Sequence, residues 1–220
     1  MILTPLITAN PFDLPQLHWR EGRFRADGTE EQTYSLDPLG PVSVRLPSAL
    51  SGAVPKRRAE FLAGRICATL ALRSAGLPEV IDMNGRAPVW PSGAAGSISH
   101  TDNRVIATVS RTLGGLGVDC ETIMPPTQAD NIQGMILTPS EANLRPDALP
   151  FAAFLTLVFS AKEALYKALS PRLDHVLEFL DVTLSGLSQN RLHLSYGGKA
   201  YEARFRLDRT EVLTLVQVAA

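Results

Sequence analysis

"FAAFLTLVFSAKEALYKAL", residues 151–169, is an apolar run that reads as a long buried helix, yet its second half carries Lys162, Glu163 and Lys167. Glu163 and Lys167 are i,i+4 and share one face of a helix, with Lys162 and Tyr166 on the adjacent one. Two local explanations compete. Glu163 and Lys167 could be a surface pair worth about 0.3–0.5 kcal/mol, on a helix with one wet stripe. Alternatively, Ser160 and Glu163 could form a capping box at the start of a new helix. That would require a break inside "LVFSAK", where no Gly or Pro provides one. A third reading, a charged stripe kept for chemistry, depends on which residues accompany it.

Four strand-like segments at regular spacing follow this helix: "EFLDVTLSG", "RLHLSYGG", "YEARFRLD" and "VLTLVQVA". Before it lie "LTPSEANLRPDALP", a polar connection, and "PPTQAD", a turn or helix start. Further upstream, "RVIATVSR" and "LGVDCET" read as strands, and "GRAPVWPSGAAGSISHT" as a loop ending in a short strand. "KRRAEFLAGRICATLALRSAGL" has helical periodicity and stops at Gly76 and Pro78, and "PVSVRLP" alternates like a strand. Residues 1 to about 40 are rich in Pro, Gly and turn residues and read as an irregular lead-in with one short strand. A polar Ser-containing turn, a long apolar helix with a basic residue (Arg65, Lys162) and then strands occur twice. The expectation is two similar α+β halves, residues 1–114 and 115–220.

The composition excludes several classes. A chain of 220 residues with 45% hydrophobic and 20% charged residues is ordinary globular protein. A formal net charge of -1 gives no electrostatic signal for nucleic acid or a membrane surface. Two cysteines, Cys67 and Cys120, make no disulfide framework, so a cytoplasmic protein is expected. "MILTPLITANPFDLP" lacks a basic start and is broken by three prolines, so it is not read as a signal peptide.

Three further segments could carry chemistry. In "GVDCE", strand alternation puts Asp119 and Glu121 on one face and Cys120 on the other. Two such carboxylates are either solvated acids or ligands for a hard cation such as Mg²⁺, completed by water and phosphate oxygens. In "GSISH", small residues precede His100, which is either an ordinary strand-end histidine or a phosphate contact. Lys56, Arg57, Arg58 and Arg65, with Arg86 in "GRAP", are either a solvated basic turn or a phosphate-binding cluster. Arg58 and Arg65 are two helical turns apart and share a face. Cations at a helix start oppose its dipole, which weighs against the solvated turn. Acids, lysines, a histidine and arginines together suit a polyphosphate substrate.

At these residues the sequence resembles the 4'-phosphopantetheinyl transferases of the Sfp/EntD type. "RRAEFLAGRICATLAL", "GRAPVWPSGAAGSISH", "GVDCE" and "FSAKEALYKAL" occur in the family's order and at family-like spacing, across roughly residues 45–170. The "WP-x-G…GS-x-SH" segment points to the EntD-like branch. The resemblance implies two similar α+β subdomains related by a pseudo-twofold, in one chain, with coenzyme A in the cleft between them. The implied reaction moves the 4'-phosphopantetheine arm of coenzyme A to a serine of an apo acyl or peptidyl carrier protein and releases 3',5'-ADP. By that resemblance Asp119, Glu121 and Glu163 would hold Mg²⁺. Glu163 would also be the general base, directly or through water, and Lys167 with Lys162 would neutralise the pyrophosphate. Ser99 and His100 would touch coenzyme A phosphate, Arg57 and Arg65 with Arg58 the 3'-phosphate, and Arg86 would lie near the adenosine. EntD-like features lean toward carriers of a siderophore or secondary-metabolite pathway. The docking segment is expected between Pro125 and Pro150, with Met124 and Met135 nearby. Cys120 departs from the family's usual aliphatic residue and reads as a small buried hydrophobe. The competing readings are a Mg²⁺-dependent phosphohydrolase acting on a nucleotide and a non-catalytic coenzyme A or carrier-binding module.

Overall fold

The computed structural model describes residues 1–3, 7–26, 33–36, 39–85 and 87–220, so the expectation for Arg86 lies outside the described residues. The chain divides into two compact units, Met1–Thr112 and Leu113–Ala220.

In the first unit the strands are β1 (Ile2–Leu3), β2 (His18–Arg25), β3 (Thr33–Leu36) and β4 (Gly40–Ser43), followed by the helix α1 (Pro55–Ser74). Then come β5 (Asp82–Asn84), β6 (Ala87–Val89), β7 (Ala95–Thr101) and β8 (Arg104–Ser110). A four-stranded antiparallel sheet runs β1-β2-β8-β7, and β3–β4 and β5–β6 are separate two-stranded ribbons. α1 opens on Pro55, whose missing N–H is spent where a helix start has no partner for it. It ends before Gly76, whose φ of +64° is the left-handed turn that glycine takes cheaply. Leu62, Ile66, Cys67 and Leu70 on α1 pack with Phe24, Val105 and Ala107 of the sheet. The irregular lead-in expected for residues 1–40 instead contributes β2, an eight-residue strand paired along β8. Its charges Arg20, Glu21, Arg23 and Arg25 mask the pattern, but Trp19 and Phe24 are buried.

The second unit starts with β9 (Leu113–Thr122), then α2 (Pro126–Ile136), the one-turn helix α3 (Pro139–Ala142) and α4 (Phe151–Leu169). Four strands complete it: β10 (Thr183–Ser188), β11 (Arg191–Tyr196), β12 (Lys199–Leu207) and β13 (Glu211–Ala219). The sheet is antiparallel in the order β10-β11-β12-β13-β9, so the first strand of the unit closes beside its last. Phe154, Leu157, Val158, Ala161 and Leu165 of α4 pack on Val212, Val216, Leu192 and Leu194. Each unit is thus a long helix laid on an antiparallel sheet, the mixed α+β pattern expected. α4 is continuous through Ser160, whose hydroxyl lies 2.8 Å from Thr214 Oγ1, so no second helix begins there and the capping-box alternative fails. Among the described residues no helix is long and apolar enough to cross a membrane.

Candidate active site

The charged stripe of α4 meets the acids of β9 because glycine lets helix and strand touch. Residues 115, 117, 119 and 121 alternate onto one face of β9. A Cβ at Gly117 would collide with the Ala164 carbonyl oxygen, and one at Gly115 with that of Ala168. With these two positions bare, α4 lies directly on the strand, and Asp119, next along the same face, meets Lys167. Lys167 Nζ donates to Asp119 Oδ1 at 2.6 Å and to the Val118 carbonyl at 3.2 Å. Asp119 is buried and pairs across the ladder with Thr214, and Glu121, half-buried, pairs with Val212. Cys120, on the other face, is fully buried, as its reading as a small hydrophobe requires.

The electrostatics follow from this packing. Burial works against the Lys167 ammonium, but the charge and hydrogen bond of Asp119, with the charge of Glu163, outweigh it and hold its pKa above that of an ordinary lysine. Burial pushes the Glu163 carboxyl up; Lys167 opposes this and the Asp119 charge adds to it. The surface pair considered for Glu163 and Lys167 is therefore replaced by a largely buried Lys167–Asp119 pair, with Glu163 beside it as a half-buried acid of raised proton affinity. A raised proton affinity favours a carboxyl as a proton acceptor.

Among the described residues no three acidic, histidine or cysteine side chains stand together as a ready metal cage. The donor set nevertheless fits Mg²⁺, which takes one or two carboxylates and completes its shell with water and phosphate oxygens. Two acids that crowd each other, Asp119 and Glu163, are the kind of pair whose mutual repulsion a divalent cation relieves.

Lys162 is not brought to these acids. Its side chain is 1% exposed, and its ammonium donates to Glu141 Oε1 at 2.8 Å and to the carbonyls of Ile136 at 2.7 Å and Phe179 at 3.0 Å. With its three donors spent, it has none for a pyrophosphate. The expected role in charge neutralisation is corrected to an internal one. Glu141, within the stretch read as a polar connection, is buried at the heart of that contact. The "TPSE" run, Thr138–Glu141, is a capping box that would have located it.

The first unit brings two of the residues singled out in the sequence, Arg57 and His100, together. Arg57, in the first turn of α1, donates from Nη1 to His100 Nε2 at 3.3 Å and to Glu60 Oε2 at 3.3 Å. An arginine cannot accept, so His100 Nε2 is the acceptor and carries no proton there. Glu60 is an acid that the sequence reading did not place. Ser99 is buried and alternates onto the face opposite His100, so the two side chains do not reach one ligand together. Arg58 donates to the Ser51 carbonyl. Arg65, despite sharing a helix face with Arg58, is buried, with Phe61 under its guanidinium and the Ile81 and Asp82 carbonyls as acceptors at 3.0 and 3.3 Å. It lines a cavity of about 390 Å³ with Phe61, Arg45, Thr69, Asp82 and Met83. Of the two methionines expected near a docking surface, Met135 is 67% exposed, whereas Met124 belongs to the core.

Comparison with known proteins matches residues 46–110 to the 4'-phosphopantetheinyl transferase N-terminal domain and residues 115–216 to the 4'-phosphopantetheinyl transferase superfamily. Enterobactin synthase component D of Salmonella typhimurium is 45% identical over 125 residues, 56% of this chain and 53% of that protein, so in this match the chain spans about half the relative's length. The protein of the same name from Escherichia coli is 35% identical over 172 residues, covering 76% of this chain and 81% of the relative. The 4'-phosphopantetheinyl transferase Svp of Streptomyces mobaraensis is 34% identical over 215 residues, 86% of this chain and 85% of its own. Two family domains matched in order, and relatives aligned along more than four-fifths of their length, place this chain in the 4'-phosphopantetheinyl transferase superfamily.

Proposed function

We propose that this chain transfers the 4'-phosphopantetheine arm of coenzyme A to a serine of an apo carrier protein and releases 3',5'-ADP, in a Mg²⁺-dependent reaction. The observation that carries the reading is the cluster of Asp119, Lys167 and Glu163, a fixed cation beside a carboxyl of raised proton affinity. The carrier serine oxygen forms a bond to phosphorus as the bond from phosphorus to the departing 3',5'-ADP oxygen breaks. Glu163 takes the serine proton, directly or through one water. Lys167, held in place by Asp119, faces the charge that develops on the phosphoryl oxygens, and a preorganised cation lowers the barrier without moving. Mg²⁺, held by Asp119, Glu121 and Glu163, would supply further charge neutralisation at the pyrophosphate.

In the first unit, Arg57 with His100 would take one phosphate group of coenzyme A. Arg65 and its cavity would take the adenosine 3'-phosphate end. The names of the relatives favour carriers of a siderophore or other secondary-metabolite pathway. Docking would use α2 and α3, where Met135 is exposed. The test is intact-protein mass spectrometry of a panel of apo carriers incubated with the protein, Mg²⁺ and coenzyme A. A gain of one phosphopantetheine arm is expected. No gain on any carrier, or nucleotide hydrolysis in its place, overturns the reading.

A further inference from the structure

Lys162 and Glu141 form the most buried ion pair of the second unit among the described residues, and neither has a part in the chemistry above. Lys162 Nζ reaches acceptors on three separate elements: Ile136 at the end of α2, Glu141 in α3, and Phe179 in the turn before β10. Glu141 is as fully used. Its Oε1 accepts from Lys162 and from the Leu184 N–H at 2.6 Å, and its Oε2 from Thr138 N at 2.7 Å and Thr138 Oγ1 at 2.9 Å. Burial would raise the Glu141 carboxyl, but the Leu184, Lys162 and Thr138 donors hold it below the ordinary glutamate range.

Packing alone does not call for this pair. A buried ion pair contributes little that two apolar side chains of the same volume would not, because desolvation cancels most of its attraction. What charges and directed hydrogen bonds add is a fixed register. α3 is a single turn, too short to hold its own shape. Its place against α4 depends on Glu141, and the end of α2 is tied to α4 through the same ammonium. Lys162 is the residue before Glu163, and the Glu163 carboxylate accepts no hydrogen bond from the described residues, so its position is set by where its helix and that helix's neighbours lie.

We propose that the Glu141–Lys162 pair is a positioning device: it sets the α2–α3 segment, the docking surface for the carrier, in register with the helix that bears Glu163. The inference rests on the functional reading above and adds to it that carrier turnover depends on two residues that touch neither substrate. Coenzyme A binding should be independent of them, since the hydrogen bonds of Lys162 and Glu141 go to each other and to Ile136, Thr138, Phe179 and Leu184, none of which is assigned to the substrate.

The double substitution Glu141→Gln with Lys162→Met removes both charges at nearly constant volume. Three quantities are measured: the melting temperature, coenzyme A affinity by calorimetry, and steady-state kinetics with carrier as the varied substrate. The double variant should still fold, melting below the wild type because the Ile136 and Phe179 carbonyls lose their donor, and should bind coenzyme A with unchanged affinity. Its kcat/KM for carrier should fall by about tenfold or more, as misplacements of about 1 Å cost up to 10²-fold. A folded double variant with wild-type kcat/KM for carrier would show that the pair positions nothing for turnover, and would overturn the proposal. An equal loss of coenzyme A affinity would also overturn the proposal. Thr138→Ala, which removes one Glu141 donor and leaves the ion pair intact, is the second variant should the first not fold. It should raise the carrier KM about threefold or more, on the same positional argument, with coenzyme A affinity unchanged; an unaltered carrier KM overturns the proposal. Wild-type protein inactive on every carrier overturns the functional reading itself, whereas active wild type with an unaffected variant overturns this inference alone.

Discussion

Replacing Gly117 with alanine asks whether the contact between β9 and α4 is what sets the acids against Lys167. Besides the collision with the Ala164 carbonyl oxygen, the new methyl would lie 2.8 Å from the Ala164 carbonyl carbon and 2.9 Å from the Ala168 nitrogen. These are helix backbone atoms, and no side-chain rotation relieves the overlap. Carbon contacts settle near ~3.5–4.0 Å, so strand and helix must part by about 1 Å. Overpacking of this kind costs about 1–3 kcal/mol. In a unit of roughly 100 residues each kcal/mol moves the melting temperature by about 4–8 °C, so the variant should melt about 5–20 °C below the wild type. The same displacement would stretch the 2.6 Å contact of Lys167 with Asp119, and transfer should fall by up to about 10²-fold. Gly134 is the internal control. It sits on exposed α2 with nothing within 4 Å of where an alanine methyl would lie, and Gly134→Ala should be neutral or stabilising by up to about 1 kcal/mol. Thermal melts by circular dichroism and single-turnover transfer read both effects. A Gly117→Ala protein that melts and reacts like the wild type refutes the close-approach account.

Glu163→Gln should abolish most transfer, by about 10²–10⁴-fold for a general base, while coenzyme A binding survives; a fully active variant removes Glu163 from that role. The same change has a stability sign. The folded Glu163 pKa is raised, first by burial, so its ionised form weighs against the fold at pH values above that pKa and not below the unfolded value. The ligand-free variant should therefore melt higher than wild type near pH 7, with the gain vanishing as pH falls through the ordinary carboxylate range; a lower melting temperature at pH 7 refutes the assignment. Arg65→Ala should weaken coenzyme A binding more than binding of the analogue lacking the 3'-phosphate, measured by calorimetry, and equal losses would remove Arg65 from that contact.

Long periodic segments were legible from composition and spacing: α1, α4, β8, β9 and the last three strands stand where the pattern puts them, whereas "EFLDVTLSG" opens with a single helical turn, Phe179–Asp181, before β10 begins at Thr183. β2 was not, because a strand whose outward positions are Arg and Glu shows too few apolar residues to announce itself, and its evidence is a partner strand more than eighty positions away. Within the site, Asp119, Glu121 and Cys120 were readable because strand alternation is a local rule. Applied equally to Ser99 and His100, that rule would have parted them. Lys162 was misjudged because a helix sequence shows which face a lysine occupies and not which acceptors a distant loop brings to it; its three lie 17 to 26 positions away. Arg65 sits where the pattern suggested, but its guanidinium is claimed by backbone carbonyls, which leave no trace in side-chain identity.

β9 carries two interleaved sets of instructions. Odd positions 115, 117, 119 and 121 answer to the helix and to the proposed chemistry, through bare backbone and then acid; the side chains at even positions 116, 118 and 120 are apolar and buried. The two sets can drift separately. A library that varies Leu116, Val118 and Cys120 among aliphatic residues would sample stability with the reactive face untouched, and the unusual cysteine is then one draw from that tolerant set. The odd positions tolerate no such sampling, because at 115 and 117 any side chain at all lifts the helix off the strand.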